Sequence, residues 1–270
     1  MQRDHWPCTN SGLRQMAKEL EDIGVCSVLL PYGPGTEDFV VHIPDIFKDT
    51  KHIRMMIAVG AYSVTPEYLI RTFDSLQFFG KDRLDLNLVA GRYAEEFENM
   101  AIESYPGDPE LMNNHEKRVA LTAKWMDKFA ELVRNKSYKT RLAVVGTSDT
   151  TIGIANKHTD YLITNAINLY NKDYIERVTC PHLLVLNPLI LQEGQNEEDV
   201  EYDDHKFALK GGHWPKGSYA EVLNTVMDIT KEFGVNDIMI HTDQKDISQI
   251  IRLVKDLLPY KPTNSESLDS

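Results

Sequence analysis

The sequence predicts an α/β protein built on parallel strands, and three observations carry that prediction. Residues 53–59, IRMMIAV, are an apolar run interrupted only by Arg54 and closed by Gly60, of a length that suits a strand covered on both faces. Thr65 and Pro66 then open a helix, in which Leu69, Ile70, Phe73, Leu76 and Phe79 form one apolar stripe. After Gly80 the run LDLNLV over residues 84–89 supplies a second strand. Strand, helix and strand in close succession make a βαβ unit, and such crossovers are parallel and right-handed.

The remaining elements follow from the same signals. Ser11 is placed to cap an amphipathic helix over residues 12–23, which Gly24 ends, and residues 26–30 form a strand. Residues 31–38, PYGPGTED, are a Pro/Gly loop, and a short helix over 38–47 leads into the βαβ unit. Beyond Gly91, an acidic stretch over 92–98 and a Pro/Gly turn over 105–109 precede a long helix at 110–132. A strand at 141–145 runs into Gly146-Thr147-Ser148-Asp149 and a helix to residue 157. A short strand at 161–164, a helix at 170–178 and a strand at 182–191 come next. Residues 192–204 are acidic, polar and aperiodic, as a loop is. A helix at 219–233, a strand at 235–241 and a helix at 247–258 complete the pattern, and residues 259–270 read as a disordered polar tail.

Composition narrows the function. The formal net charge of −12 argues against nucleic acid, whose phosphates ask for a surplus of Lys and Arg. No apolar run reaches the length of a membrane span and no signal peptide opens the chain, so a soluble cytoplasmic protein is expected. The three cysteines, Cys8, Cys26 and Cys180, lie far apart and are expected to be reduced. The nine histidines show no ligand spacing, and dinucleotide, P-loop and nucleophile-elbow motifs are absent. No metal is expected.

Three positions carry candidate chemistry. In Gly146-Thr147-Ser148-Asp149 the glycine permits close backbone approach, the hydroxyls add donors, and the helix start offers unpaired amides. Both a phosphate site and an ordinary N-cap fit that pattern. Thr36 before Glu37-Asp38 is either a helix cap or a hydroxyl facing a ligand. His241 at the end of the last strand is either packed or a base.

The chain also resembles a known family. Arg71, Leu76, Arg83, Leu84 and Asn87, with an ungapped loop over residues 57–66, match the pattern of the bacterial-luciferase-like flavin monooxygenases. The match is nearest to the reduced-flavin-dependent alkanesulfonate monooxygenases. This resemblance implies a TIM-type (β/α)8 barrel over residues 1–258, with its first strand missing or atypical. It implies that reduced FMN and oxygen serve to oxygenate a small organic substrate, the cofactor carrying the hard chemistry. Ala58 and Val59 stand where the family has a non-prolyl cis peptide under the flavin ring, and Ala90 and Gly91 join the expected cofactor face. His115 and Arg118 match the head of the family's long helix, although Val119 replaces its tyrosine; the alternative for both is a solvated helix face. Gly146, Thr147 and Ser148 correspond to the loop for the FMN phosphate, with Ala155, Asp160 and Thr164 keeping the downstream spacing. Thr36 would then hydrogen-bond a flavin oxygen. Thr36, Asn187 and His241 are the catalytic candidates.

Where the sulfonate enzymes place an Arg and a His, this chain has Val185 and Asn187, so the cations a buried sulfonate requires are missing. Asn187 suits an uncharged or differently charged molecule. The resemblance further implies a separate flavin reductase and a homodimer or homotetramer. An oxidoreductase using deazaflavin F420 and a barrel that binds flavin without turnover remain alternatives.

Overall fold

The computed structural model of the chain describes residues 10–30, 39–61, 63–89, 114–196, 215–240 and 248–259. These pack as two compact units, the first drawn from residues up to 163 with 176–181, the second from 164–175 and from 182 onward.

The first unit alternates helix and strand: α1 (Asn10–Asp22), β1 (Ser27–Leu30), α2 (Ile43–Asp49), β2 (Arg54–Gly60), α3 (Pro66–Gln77), β3 (Leu84–Val89), α4 (His115–Lys136), β4 (Leu142–Val145), α5 (Asp149–His158) and β5 (Tyr161–Asn165). The strands pair in parallel in sequence order from β1 to β5. Helix α1 already starts at Asn10, ahead of the expected cap at Ser11, and Gly24 follows it at φ 96°. Whether a strand precedes α1 lies outside the described residues. The single helix expected over 38–47 is a 3-10 turn, Phe39–His42, followed by α2. Pro44 sits in the first turn of α2, where its missing N–H costs nothing.

Helix α3 starts as expected, with the Thr65 hydroxyl accepting the Tyr68 N–H at 3.2 Å. Leu69, Ile70, Phe73 and Leu76 are buried, but Phe79 is 43% exposed. It leaves the stripe because α3 stops at Gln77 and Phe79 lies in the following turn. Gly80 is required there: a Cβ would stand 2.2 Å from the Phe47 ring. Gly80→Ala is therefore expected to cost about 1–3 kcal/mol through overpacking, measured by urea unfolding. A loss below about 0.5 kcal/mol, the size of an ordinary surface change, would mean that the ring moves aside freely.

Helix α4 is capped by Asn114, whose Oδ1 accepts the Lys117 N–H at 3.1 Å, and ends at Ser137 in the left-handed region, φ 55°. It runs past the expected end at 132, and its expected start at 110 lies outside the described residues. Trp125 stacks on Phe129 at 5.0 Å, Phe129 meets Phe73 of α3 edge-on at 5.6 Å, and the Trp125 indole N–H donates to the Val64 carbonyl.

Glu21 ties α1 to the segment before β2 by accepting the backbone N–H groups of Lys51, His52 and Ile53. Its pKa falls to about 2: partial desolvation acts upward, and the hydrogen bonds from His52, Ile53 and Lys51 outweigh it. A carboxyl depressed by folding stabilises above its unfolded pKa and loses that contribution as pH falls through the folded value. The wild type is thus expected to lose stability between about pH 4.3, the ordinary glutamate value, and about pH 2 more steeply than Glu21→Gln. Urea midpoints at pH 7, 4 and 3 test this, and parallel curves for the two proteins would refute it.

The second unit holds α6 (Ala166–Leu169), the start of α7 (Lys172–Arg177), β6 (His182–Leu186), β7 (Leu189–Leu191), β8 (Lys216–Ser218), α8 (Tyr219–Phe233), β9 (Asp237–Ile240) and α9 (Ser248–Leu257). The helix expected over 170–178 is α7, capped by Asn171, whose Oδ1 accepts the Tyr174 N–H at 3.3 Å, and the short α6 before it was not expected. The strand expected over 182–191 is broken after Asn187, because Pro188 has no N–H to continue a ladder. Beyond the break β7 pairs in parallel with β8, a strand the sequence reading lacks. Strand β9 pairs in parallel with β6. Helix α8 has the predicted limits, and Ser218 and Glu221 form a reciprocal capping box at its start. Val226 and Ile229 of α8 cover Leu184 and Leu186 of β6, while Ile250 and Leu253 of α9 pack with Val222 and Ile190.

Among the described residues Cys26 and Cys180 are free thiols, no acidic, His or Cys cluster could hold a metal, and no helix is long and apolar enough to cross a membrane.

Candidate functional site

Strand register sorts the first unit's side chains into two faces. Met56 lies beside Asp85, Ala58 beside Asn87 and Gly60 beside Val89, while β4 sets Ala143 beside Asn87 and Val145 beside Val89. Paired residues of a parallel sheet share a face, and alternation sends Leu84, Leu86 and Leu88 to the other. That other face also takes Met55, Ile57, Val59, Leu142 and Val144, a wholly apolar set for the helices to cover.

The first face has two ends of different chemistry. At its amino end Asp85 is fully buried and joined to Arg54 and Arg141. At its carboxyl end Asn87 is the polar group, 5% exposed, with an Oδ1 that accepts no hydrogen bond from the described residues. Its register neighbours Ala58 and Ala143 are short, so the strands beside Asn87 raise no large side chain. The sequence reading used Asn87 only as a matching position. The signal that could have found it was one amide in the otherwise apolar second half of LDLNLV.

The turn from β4 to α5 lies at the same end. Gly146 has φ 142°, a conformation that side chains rarely adopt, and a Cβ there would meet the Thr151 hydroxyl at 3.1 Å. Thr147 is exposed. Ser148 is the N-cap of α5: its Oγ accepts the Thr151 N–H at 3.2 Å and lies 2.8 Å from the Thr151 hydroxyl. The serine hydroxyl is therefore committed to the helix, and the groups left for an anion are the Thr147 hydroxyl and the first-turn amides, which have no intrahelical acceptor. Asp149, in that first turn, is paired with Arg177.

The other expected site residues fall unevenly. Ala58 and Val59 are buried mid-strand, with Val59 directed to the helix face. Arg118 is 6% exposed in the first turn of α4 and the neighbouring Val119 5%, which removes the solvated-face alternative for Arg118. His115 begins that helix, and its side chain lies outside the description. Thr36, Ala90, Gly91 and His241 lie outside the described residues. Thr164, matched in the downstream spacing, faces the helix layer, where its hydroxyl accepts from Asn168 at 3.0 Å.

In the second unit Leu184 and Leu186 point to α8, so Val185 and Asn187 take the opposite face. Asn187, just past the end of β6, is 3% exposed, and neither its Oδ1 nor its Nδ2 has a hydrogen-bond partner among the described residues. A buried amide left in that state costs about 1–3 kcal/mol. Residues 183–187 carry no cation.

No family model matches the chain. Solved structures do resemble it across almost its whole length. Long-chain alkane monooxygenase LadA superposes with a TM-score of 0.70 at 12% identity, over 96% of this chain and 86% of that one. Riboflavin lyase RcaE, solved with modified FMN and substrate riboflavin, gives 0.70 at 13% identity, over 95% and 86%. The coenzyme F420-dependent tetrahydromethanopterin reductase of Methanopyrus kandleri gives 0.64 at 8% identity, over 92% and 94%. The chain has a luciferase-like TIM-type α/β fold. In TIM-type folds ligands meet the carboxyl ends of the strands. Within its own unit, each of Asn87, the β4–α5 turn and Asn187 stands at that end of this luciferase-like fold, and the Asp85 cluster stands at the other.

Proposed function

We propose that this chain is a flavin-dependent monooxygenase that binds reduced FMN at the carboxyl end of the first unit and oxygenates a small organic molecule. The observation that carries the reading is the β4–α5 turn. It combines a glycine that lets the backbone approach closely, an exposed hydroxyl and the open amides of a ten-residue helix, a donor set suited to a phosphate. The orphaned Oδ1 of Asn87 among short side chains fits a flat ring that presents an N–H. Reduced FMN, when bound, supplies the electrons that activate oxygen. The chain's own residues bind and orient: Thr147 and the first turn of α5 take the phosphate, Asn87 takes a ring N–H, and the apolar wall of Val89 and Val145 keeps water off the face. Buried Arg118 contributes positive charge near the head of α4. Asn187 contributes a neutral polar group to substrate, which disfavours a sulfonate. A separate reductase delivers the reduced flavin, and the protein works as a homodimer or homotetramer.

Deazaflavin F420 is the second reading, supported by the F420-dependent neighbour at TM-score 0.64. Anaerobic titration with reduced FMN and, separately, with reduced F420 tests both. Micromolar binding of FMN followed by oxygen uptake on admission of air supports the oxygenase. Binding of F420 alone moves the protein to hydride transfer, and binding of neither sinks the flavin reading.

A further inference from the structure

We infer that Asn187 recognises a neutral group of the substrate that both donates and accepts hydrogen bonds, such as a carboxamide or ureide, and discriminates against carboxylates and sulfonates. The inference rests on the reading above that the face of β6 bearing Val185 and Asn187 takes the substrate.

Four observations lead there. Asn187 is buried, and among the described residues its carboxamide finds no hydrogen-bond partner. An amide offers two donor hydrogens and an acceptor oxygen, so the complementary partner carries an acceptor and a donor side by side. The helix layer cannot supply that partner, because Leu184 and Leu186 alone of this strand's carboxyl half point toward Val226 and Ile229 of α8. Pro188 then holds the position: with no N–H it ends the ladder, and the chain re-pairs only at Leu189, whose N–H donates to the Pro215 carbonyl at 2.9 Å. The amide thus sits on the last paired residue before Pro188, where no group among the described residues hydrogen-bonds to it. Residues 183–187 themselves offer an anion no counter-charge, and a buried charge left unpaired is costly.

The test compares benzamide with benzoate, two probes of nearly equal shape, by calorimetry on the full chain and on Asn187→Leu. Thermal melting of both proteins and their affinity for reduced FMN are measured alongside. Benzamide is expected to bind the wild type at least about tenfold more tightly than benzoate, and the substitution is expected to erase that preference. Because leucine removes an unsatisfied buried amide, the variant is also expected to melt no lower than the wild type and to keep its FMN affinity. Equal binding of the two probes by the wild type would overturn the proposal, whatever the variant does. So would a substantially lower melting temperature for Asn187→Leu, which would mark the amide as structural, satisfied by bound water. Amide preference in a protein that binds no FMN would sink the flavin reading and leave this one standing.

Discussion

Asp85→Asn is expected to lower the free energy of unfolding by about 3–5 kcal/mol, the usual result of removing one partner from a buried ion pair. Asp85 is fully buried. Its carboxylate accepts from Arg54 Nε at 2.9 Å, from Arg141 Nε and Nη2 at 3.0 and 2.6 Å, and from the Arg141 backbone N–H at 3.0 Å. Burial acts to lower the Arg141 pKa, but the hydrogen bond and charge of Asp85 reverse this and raise it above the ordinary arginine value. Asparagine keeps the shape, removes the counter-charge and sets an amide donor against two guanidinium groups. Arg54 retains its bonds to the Asp82 and Lys139 carbonyls, so it is held in place rather than released to water. Urea unfolding with an unchanged m-value would measure the loss. A loss under about 1 kcal/mol, the range of exposed pairs, would show that the three residues behave as a surface cluster. The triad joins the amino ends of β2, β3 and β4, so the folded fraction of Asp85→Asn is expected to bind reduced FMN with wild-type affinity.

Ser148→Asp is expected to weaken reduced FMN on the order of 10²-fold while leaving stability within about 0.5 kcal/mol. Aspartate caps a helix as well as serine does, and the Thr151 N–H that Ser148 now holds can pass to its carboxylate. A new negative charge beside a bound phosphate, however, opposes it directly. Riboflavin, which has no phosphate, should bind both proteins equally, and that comparison separates phosphate repulsion from damage to the ring site. Equal loss for FMN and riboflavin, or none for either, would place the phosphate elsewhere.

Much of the architecture was legible because it depends on neighbours along the chain. The Thr65-Pro66 start of α3, the run that becomes β3, the Ser148 cap of α5 and the limits of α8 are all local signals, and each stands where it was expected. The misses came where a distant or missing partner set the outcome. Phe79 has the spacing of a core residue, but the helix that would carry it inward stops two residues earlier. The strand over 182–191 reads as continuous by hydropathy, yet Pro188 divides it and β7 pairs with β8, a segment with no strand signature of its own.

The site divides in the same way. Residue type and spacing marked Gly146, Thr147 and Ser148 as a turn fit for an anion and left open whether the serine hydroxyl serves the ligand or the helix. The structure assigns that hydroxyl to Thr151, because the first turn of α5 brings the two side chains within 2.8 Å. The sequence by itself determined the parallel strand–helix order, the glycine-led turn into α5 and the lack of a cation at residues 183–187, since each is a property of contiguous residues. Only the tertiary structure decided that Asp85 is a structural counter-ion, while Asn87 and Asn187 are buried amides with unused hydrogen-bonding capacity. Asp85 and Asn87 are the two polar residues of β3 and Asn187 directly follows the apolar end of β6, and residue type alone does not tell their roles apart. They are distinguished by what the described residues place within reach, which is two arginines for Asp85, and for each asparagine no partner for its Oδ1.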